Sequence, residues 1–145
     1  MKIPVSIPHF KIAVGIVGLY SIGWLALEGE LVRDIGLAAG LLVSALLYII
    51  TKRLGGLIVP VRRAIILATA AGLLFGAGLV LLTLFLMVLK TGLHAHGPEY
   101  TAQEIAWVWR QLPLWAGAGG LAGLGLGLLA AARGRMTTDE DGQNG

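Results

Sequence analysis

Polar and apolar residues fall along this chain in long blocks, not at the two-residue spacing of a strand or the three-to-four-residue spacing of a half-buried helix. Residues 12–27, 35–50, 64–89 and 112–132 contain no Asp, Glu, Lys, Arg or His, in runs of 16, 16, 26 and 21 residues. A helix that is apolar on every side is a buried helix or a membrane span, not a surface helix. With a rise of about 1.5 Å per residue and a hydrocarbon layer of about 30 Å, roughly 20 apolar residues cross a bilayer. The last two windows reach that length unaided. The first two need their flanks, with Phe10 and Leu31–Val32 supplying the missing turns. The third, about 39 Å long, must tilt or emerge at one end.

The pattern predicts an all-α, polytopic integral membrane protein of four transmembrane helices in a compact bundle. The spans fall at about 10–28, 31–51, 64–89 and 112–132, within a single domain covering residues 1–135. Lys2 and Lys11 precede the first apolar run as in a signal peptide, but "WLALEGE" offers no small-x-small cleavage site, so the first helix is expected to stay. Residues 136–145 are polar, acidic and glycine-containing, and are expected to be a disordered tail.

One shorter helix is predicted from local chemistry. "TAQE", Thr101 to Glu104, is a capping box, in which the Thr101 hydroxyl accepts from the Glu104 N–H and the Glu104 carboxylate reaches back to the Thr101 N–H. Ile105, Val108, Trp109 and Leu112 follow at i, i+3, i+4 and i+7. That spacing predicts an amphipathic interfacial helix over about 102–112, leading into the fourth span. Pro113 lacks the N–H that would bond Trp109 and predicts a bend near Leu112.

Composition supports the membrane assignment. Hydrophobic residues make up 57% of the 145-residue chain and charged residues 13%, too little charge to cover a soluble surface. With no cysteine, disulfides and thiolate metal sites are excluded. The basic residues are distributed unequally. In a four-span topology, Lys2, Lys11, Lys52, Arg53, Arg62, Arg63, Arg133 and Arg135 share one side, and Arg33, Lys90 and Arg110 lie on the other. The positive-inside rule then places both termini in the cytoplasm, in a membrane of the bacterial cytoplasmic type, with residues 28–34 and 90–111 outside. Trp24, Trp107, Trp109 and Trp115 all fall near the outer interface and are expected to anchor there with their indole N–H groups wet.

Inside the spans, small residues recur every fourth position: Gly36, Gly40 and Ser44; Ala68, Gly72 and Gly76; Gly119, Gly123 and Gly127. In lipid, helices associate through close backbone approach and van der Waals contact, which such seams permit. Gly117, Gly120 and Gly125 smooth the other faces of the last span and leave room for a second neighbour.

Candidate chemistry is sparse. The four windows hold no ionisable residue, which disfavours proton-coupled transport and excludes a haem ligated within the bilayer. The polar residues inside, Ser21, Ser44, Thr69 and Thr83, are expected to bond carbonyls of their own helices. No nucleophile, phosphate loop or catalytic dyad stands out. The one candidate metal site is "LHAHGPEYT", where His94 and His96, with Glu99 and carboxylates of the first outer loop, present ligand chemistry for a transition metal. The same stretch reads as a turn, or as a pH-sensing loop through its histidines.

The resulting expectation is a non-catalytic membrane protein without cofactor or nucleic-acid partner. It packs through its small-residue seams with itself or as an accessory subunit of a larger complex. Two alternatives accompany that expectation: a small oligomeric pore or carrier for a hydrophobic substrate, and a metal-binding or pH-sensing protein.

Overall fold

The computed structural model describes residues 3–27, 29–93 and 99–143, with residues 133–143 described as backbone only. The chain forms α1 (Phe10–Ala26), α2 (Leu31–Leu54), α3 (Val61–Leu93), α4 (Ala102–Arg110) and α5 (Leu112–Gln143). Three helical runs are long and apolar enough to cross a membrane: α2, α3, and the α4–α5 run Ala102–Ala132. The 17 residues of α1 extend about 26 Å, short of the hydrocarbon layer without their flanks.

Turn chemistry sets the boundaries. Glu30 opens α2, its carbonyl accepting from the N–H groups of Arg33 and Asp34, and its carboxylate pairs with the Arg33 Nε at 2.9 Å. At the other end of α2, Gly56 takes a φ of 82°, a conformation that side chains with a Cβ rarely adopt. Backbone bonds between Ile3 and both Gly56 and Leu57 tie the N-terminal segment to that turn. The capping box forms as the sequence implies: the Thr101 N–H donates to Glu104 Oε2 at 2.7 Å, and the Glu104 N–H donates to Thr101 Oγ1 at 3.2 Å. The helix breaks at Gln111, one residue before the expected bend, so that Pro113 stands in the first turn of α5 where its missing N–H costs little.

Successive long helices run antiparallel. Val17 of α1 meets Gly40 of α2, Leu42 of α2 meets Gly78 of α3, and Ile65 of α3 meets Gly127 of α5. Helix α4 lies over α3, where Val108 joins Val80, Met87 and Tyr100 in a small core. A second core, of Trp24, Leu37, Ala38, Leu79 and Leu86, joins the first three helices.

One expectation needs correcting. The bundle is not a closed, compact one: α1 packs on α2, α2 on α3, and α3 on α4 and α5, while no other pair beyond the α4–α5 junction shares more than a marginal contact among the described residues. The ring therefore stays open between α2 and α5, because α3 uses its small residues to hold α5 at its own surface. Beyond the last apolar window the backbone of α5 stays helical to Gln143. Residues 136–143 contain no proline, and extending an existing helix costs far less than starting one. On α4, Val108 is buried, whereas Trp109 and Ile105 are exposed, since α3 covers only one edge of so short a helix.

The α3–α5 contact is made by backbone. A Cβ at Gly72 would strike the carbonyl of Gly119, one at Gly119 would strike that of Gly72, and one at Gly76 would strike that of Trp115. Gly117, on the same helix, has open space around it. Gly72→Ala should therefore lower unfolding free energy in mixed micelles by about 1–3 kcal/mol through overpacking. Gly117→Ala should leave it unchanged or raise it by up to about 1 kcal/mol through helix propensity. Equal effects at the two positions would show that α3 and α5 are not in backbone contact.

Candidate functional site

Two features concentrate the chemistry of this molecule, one at each half of the bundle. The first begins with Trp24 in the last turn of α1 and Asp34 in the first turn of α2. They lie at nearly equal distances from the turn between the two helices, so the antiparallel hairpin brings them together. Trp24 Nε1 donates to Asp34 Oδ1 at 2.6 Å. Lys90, in the last turn of α3, donates from Nζ to the Trp24 carbonyl at 2.7 Å and stands 4.5 Å from the centre of the indole ring. All three are buried, with exposures of 0% for Asp34, 1% for Lys90 and 4% for Trp24.

Helix electrostatics favour this arrangement. An acid in the first turn and a base in the last each complement the dipole of their helix. A lysine over an indole face gains about 2 kcal/mol or more when desolvated. Tyr100, just before α4, completes the cluster from the remaining side. Burial raises its phenol pKa well above the ordinary value, and the neighbouring carboxylate of Asp34 raises it further; Glu99 and Glu104 add to the effect. The phenol thus stays protonated throughout the neutral range. Gly29 makes room for this group: a Cβ there would collide with the Glu99 carboxylate and the Tyr100 hydroxyl.

The second feature is an apolar groove in the open side of the bundle. Its walls are Val43, Leu46 and Ile50 of α2 and Leu126 of α5, and its floor is the Gly72–Gly119 contact; its volume is about 570 Å³.

The residues singled out by sequence fall as follows. Ala68, Gly72 and Gly76 face Gly119, Gly123 and Gly127 across the α3–α5 contact. Gly36 and Gly40 receive Tyr20 and Val17 of α1, with Ser44 half-buried one turn on. Ser21, Thr69 and Thr83 each donate to a carbonyl four residues back. Trp107, Trp109 and Trp115 are exposed, but Trp115 lies against Gly76, midway along α3 and not at its outer end, and Trp24 is not the wet interfacial anchor expected of it: its N–H is bound to a buried carboxylate. His94 and His96 lie outside the described residues. Glu99, their suggested partner, packs beside Gly29 and Tyr100, and among the described residues no three His, Asp or Glu side chains are placed to share a metal ion.

Sequence reasoning placed Asp34 and Lys90 in outer flanks and passed over them as buried groups. Burial depends on residues 10 and 66 positions away, which no local pattern reveals. Hairpin symmetry about residue 29 is the one signal that pairs Trp24 with Asp34. No protein family, curated protein or solved structure matches the chain.

Trp24→Phe keeps an aromatic face under Lys90 but leaves Asp34 Oδ1 without its indole donor, and should cost about 1–3 kcal/mol of unfolding free energy. A loss below about 0.5 kcal/mol would show that the carboxylate is not buried against the indole. Tyr100 supplies a pH signature. Its folded pKa is raised, so its contribution to stability is complete below the unfolded value of about 10 and is lost as pH rises above it. The stability difference between wild type and Tyr100→Phe should therefore shrink as the pH of the unfolding buffer is raised past about 10. A pH-independent difference would place the phenol in water.

Proposed function

We propose that this is a non-catalytic integral membrane protein that binds a hydrophobic molecule within the bilayer. The observation carrying this reading is the groove between α2 and α5, whose lining is apolar throughout and which opens sideways from the bundle. In this reading all four long helices cross, α1 completing its short span with the residues that flank it. The residues at the Leu57 end, among them Lys11, Lys52, Arg53, Arg62 and Arg63, face the cytoplasm, as the positive-inside rule requires. The opposite end carries Glu30, Arg33, Asp34, Lys90, Glu104 and Arg110, a mixed population.

The accessory-subunit reading loses part of its basis, because the four-residue seams of α3 and α5, Ala68–Gly72–Gly76 and Gly119–Gly123–Gly127, are already occupied by one another. It keeps the rest: Gly15 and Gly18 of α1 and Gly117 and Gly125 of α5 have nothing within 4 Å and leave smooth faces uncovered.

Two measurements test the proposal. Since the chain has no cysteine, single-cysteine variants report topology cleanly. A membrane-impermeant maleimide should label Gln103→Cys from outside intact cells and Leu57→Cys only after permeabilisation; labelling of both from one side would contradict the crossing pattern. Intact-mass spectrometry from mild detergent should then show the 15.2 kDa chain with a retained small hydrophobic adduct. A fixed-stoichiometry protein assembly without an adduct would favour the accessory-subunit reading instead.

A further inference from the structure

The groove has a length, a depth in the bundle and a charged end, and together these specify its occupant. Along α5 the lining runs from Trp115 to Leu126, about 16 Å, and along α3 from Ala68 to Gly76, about 12 Å. One leaflet of the hydrocarbon layer is about 15 Å thick, half of the whole. A transmembrane helix seated there would find a matching surface over only half its length. An extended acyl chain reaching from the headgroup region to the midplane would be matched along all of it.

The position of the groove agrees with that choice. On α2 the lining residues Val43, Leu46 and Ile50 belong to the half that ends at Arg53, and on α3 they belong to the half that begins at Arg62 and Arg63. Arg53 lies three residues beyond Ile50 and seven beyond Leu46, so it continues the same helical stripe out of the groove. All three arginines are exposed, and residues 52–63 contain no Asp or Glu. The apolar slot is thus one leaflet deep and opens toward a basic end with no acid on the connecting turn.

We propose that the groove holds one acyl chain of an anionic phospholipid from the leaflet on the basic side, with its phosphate on Arg53 and in the field of Arg62 and Arg63. Guanidinium groups suit this task, since their fixed fork of donors matches phosphate oxygens two at a time. The inference rests on the reading that the helices cross a bilayer with the Leu57 end on one side, and it names the hydrophobic molecule which that reading leaves open.

The test uses the full chain purified in mild detergent, with phosphatidylglycerol or phosphatidylcholine of identical acyl chains added and intact masses recorded. One phosphatidylglycerol should be retained per chain, with phosphatidylcholine weaker by about tenfold or more. Ala122→Phe, which places a ring in the groove from α5, should abolish retention of both. Arg53→Gln should remove the preference for phosphatidylglycerol while leaving the neutral lipid's binding as it was. Should a filled groove impair folding, a second reading leaves the groove open: phosphatidylglycerol brominated on its acyl chains should quench, in the wild type, the fluorescence component that Trp115→Phe removes. Equal retention of the two lipids would overturn the proposal, as would retention surviving Ala122→Phe in a folded variant, or an oligomer that this substitution breaks apart. A neutral hydrophobic adduct would defeat the phospholipid assignment and leave the wider reading standing. Same-side labelling of Gln103→Cys and Leu57→Cys would defeat both.

Discussion

A charged group removed from water must be met by other polar groups, and in this molecule that requirement gathers three helices at one point. Asp34 and Lys90 are both fully buried, and both bond to Trp24, one through Oδ1 to the indole N–H and the other to the backbone carbonyl and the ring face. Breaking such a cluster by removing one member leaves a buried charge without its partner, which costs several kcal/mol. Helix α1 depends on this more than the others do, because elsewhere along its length it packs on α2 alone. The Asp34–Trp24–Lys90 contact is what fixes the last turn of α1 to α3, across the first turn of α2.

The other half of the molecule is held by different physics. Lipid offers no hydrophobic gain when two apolar helices meet, so association depends on how closely their backbones approach. Gly72, Gly76, Gly119 and Gly123 bring α3 and α5 into direct backbone contact. That contact draws α5 to α3 and away from α2, and the groove follows from it: where larger residues would have spread the helices into a closed ring, the glycines leave one side open. The two halves thus divide the work. The polar end fixes the helices in position, and the smooth half leaves an apolar groove beside it.

Much of this was legible in the sequence, for identifiable reasons. The helices were readable because long charge-free runs need no knowledge of their neighbours. The cap at Thr101 was readable because its partner lies three residues away. The small-residue seams were visible as spacing, but spacing alone does not say which seam faces which, so packing within the chain and packing with a partner looked alike. The buried cluster was hidden for a stronger reason. Asp34 and Lys90 sit in the first and last turns of their helices, where charged residues are ordinarily solvated, and only the placement of Trp24 and Tyr100 over them takes them out of water. The groove was hidden because an opening is a property of how four helices fail to close, and no residue encodes it alone.

Hydrogen exchange read by mass spectrometry in micelles tests the central claim most directly, with Lys90→Met compared to wild type. The account predicts faster exchange in the last turn of α1 and the first turn of α2, around Trp24 and Asp34, with the α3 segment containing Gly72 and Gly76 unchanged. Unaltered exchange at the α1–α2 turn, or an equal rise along the whole of α3 and α5, would contradict it.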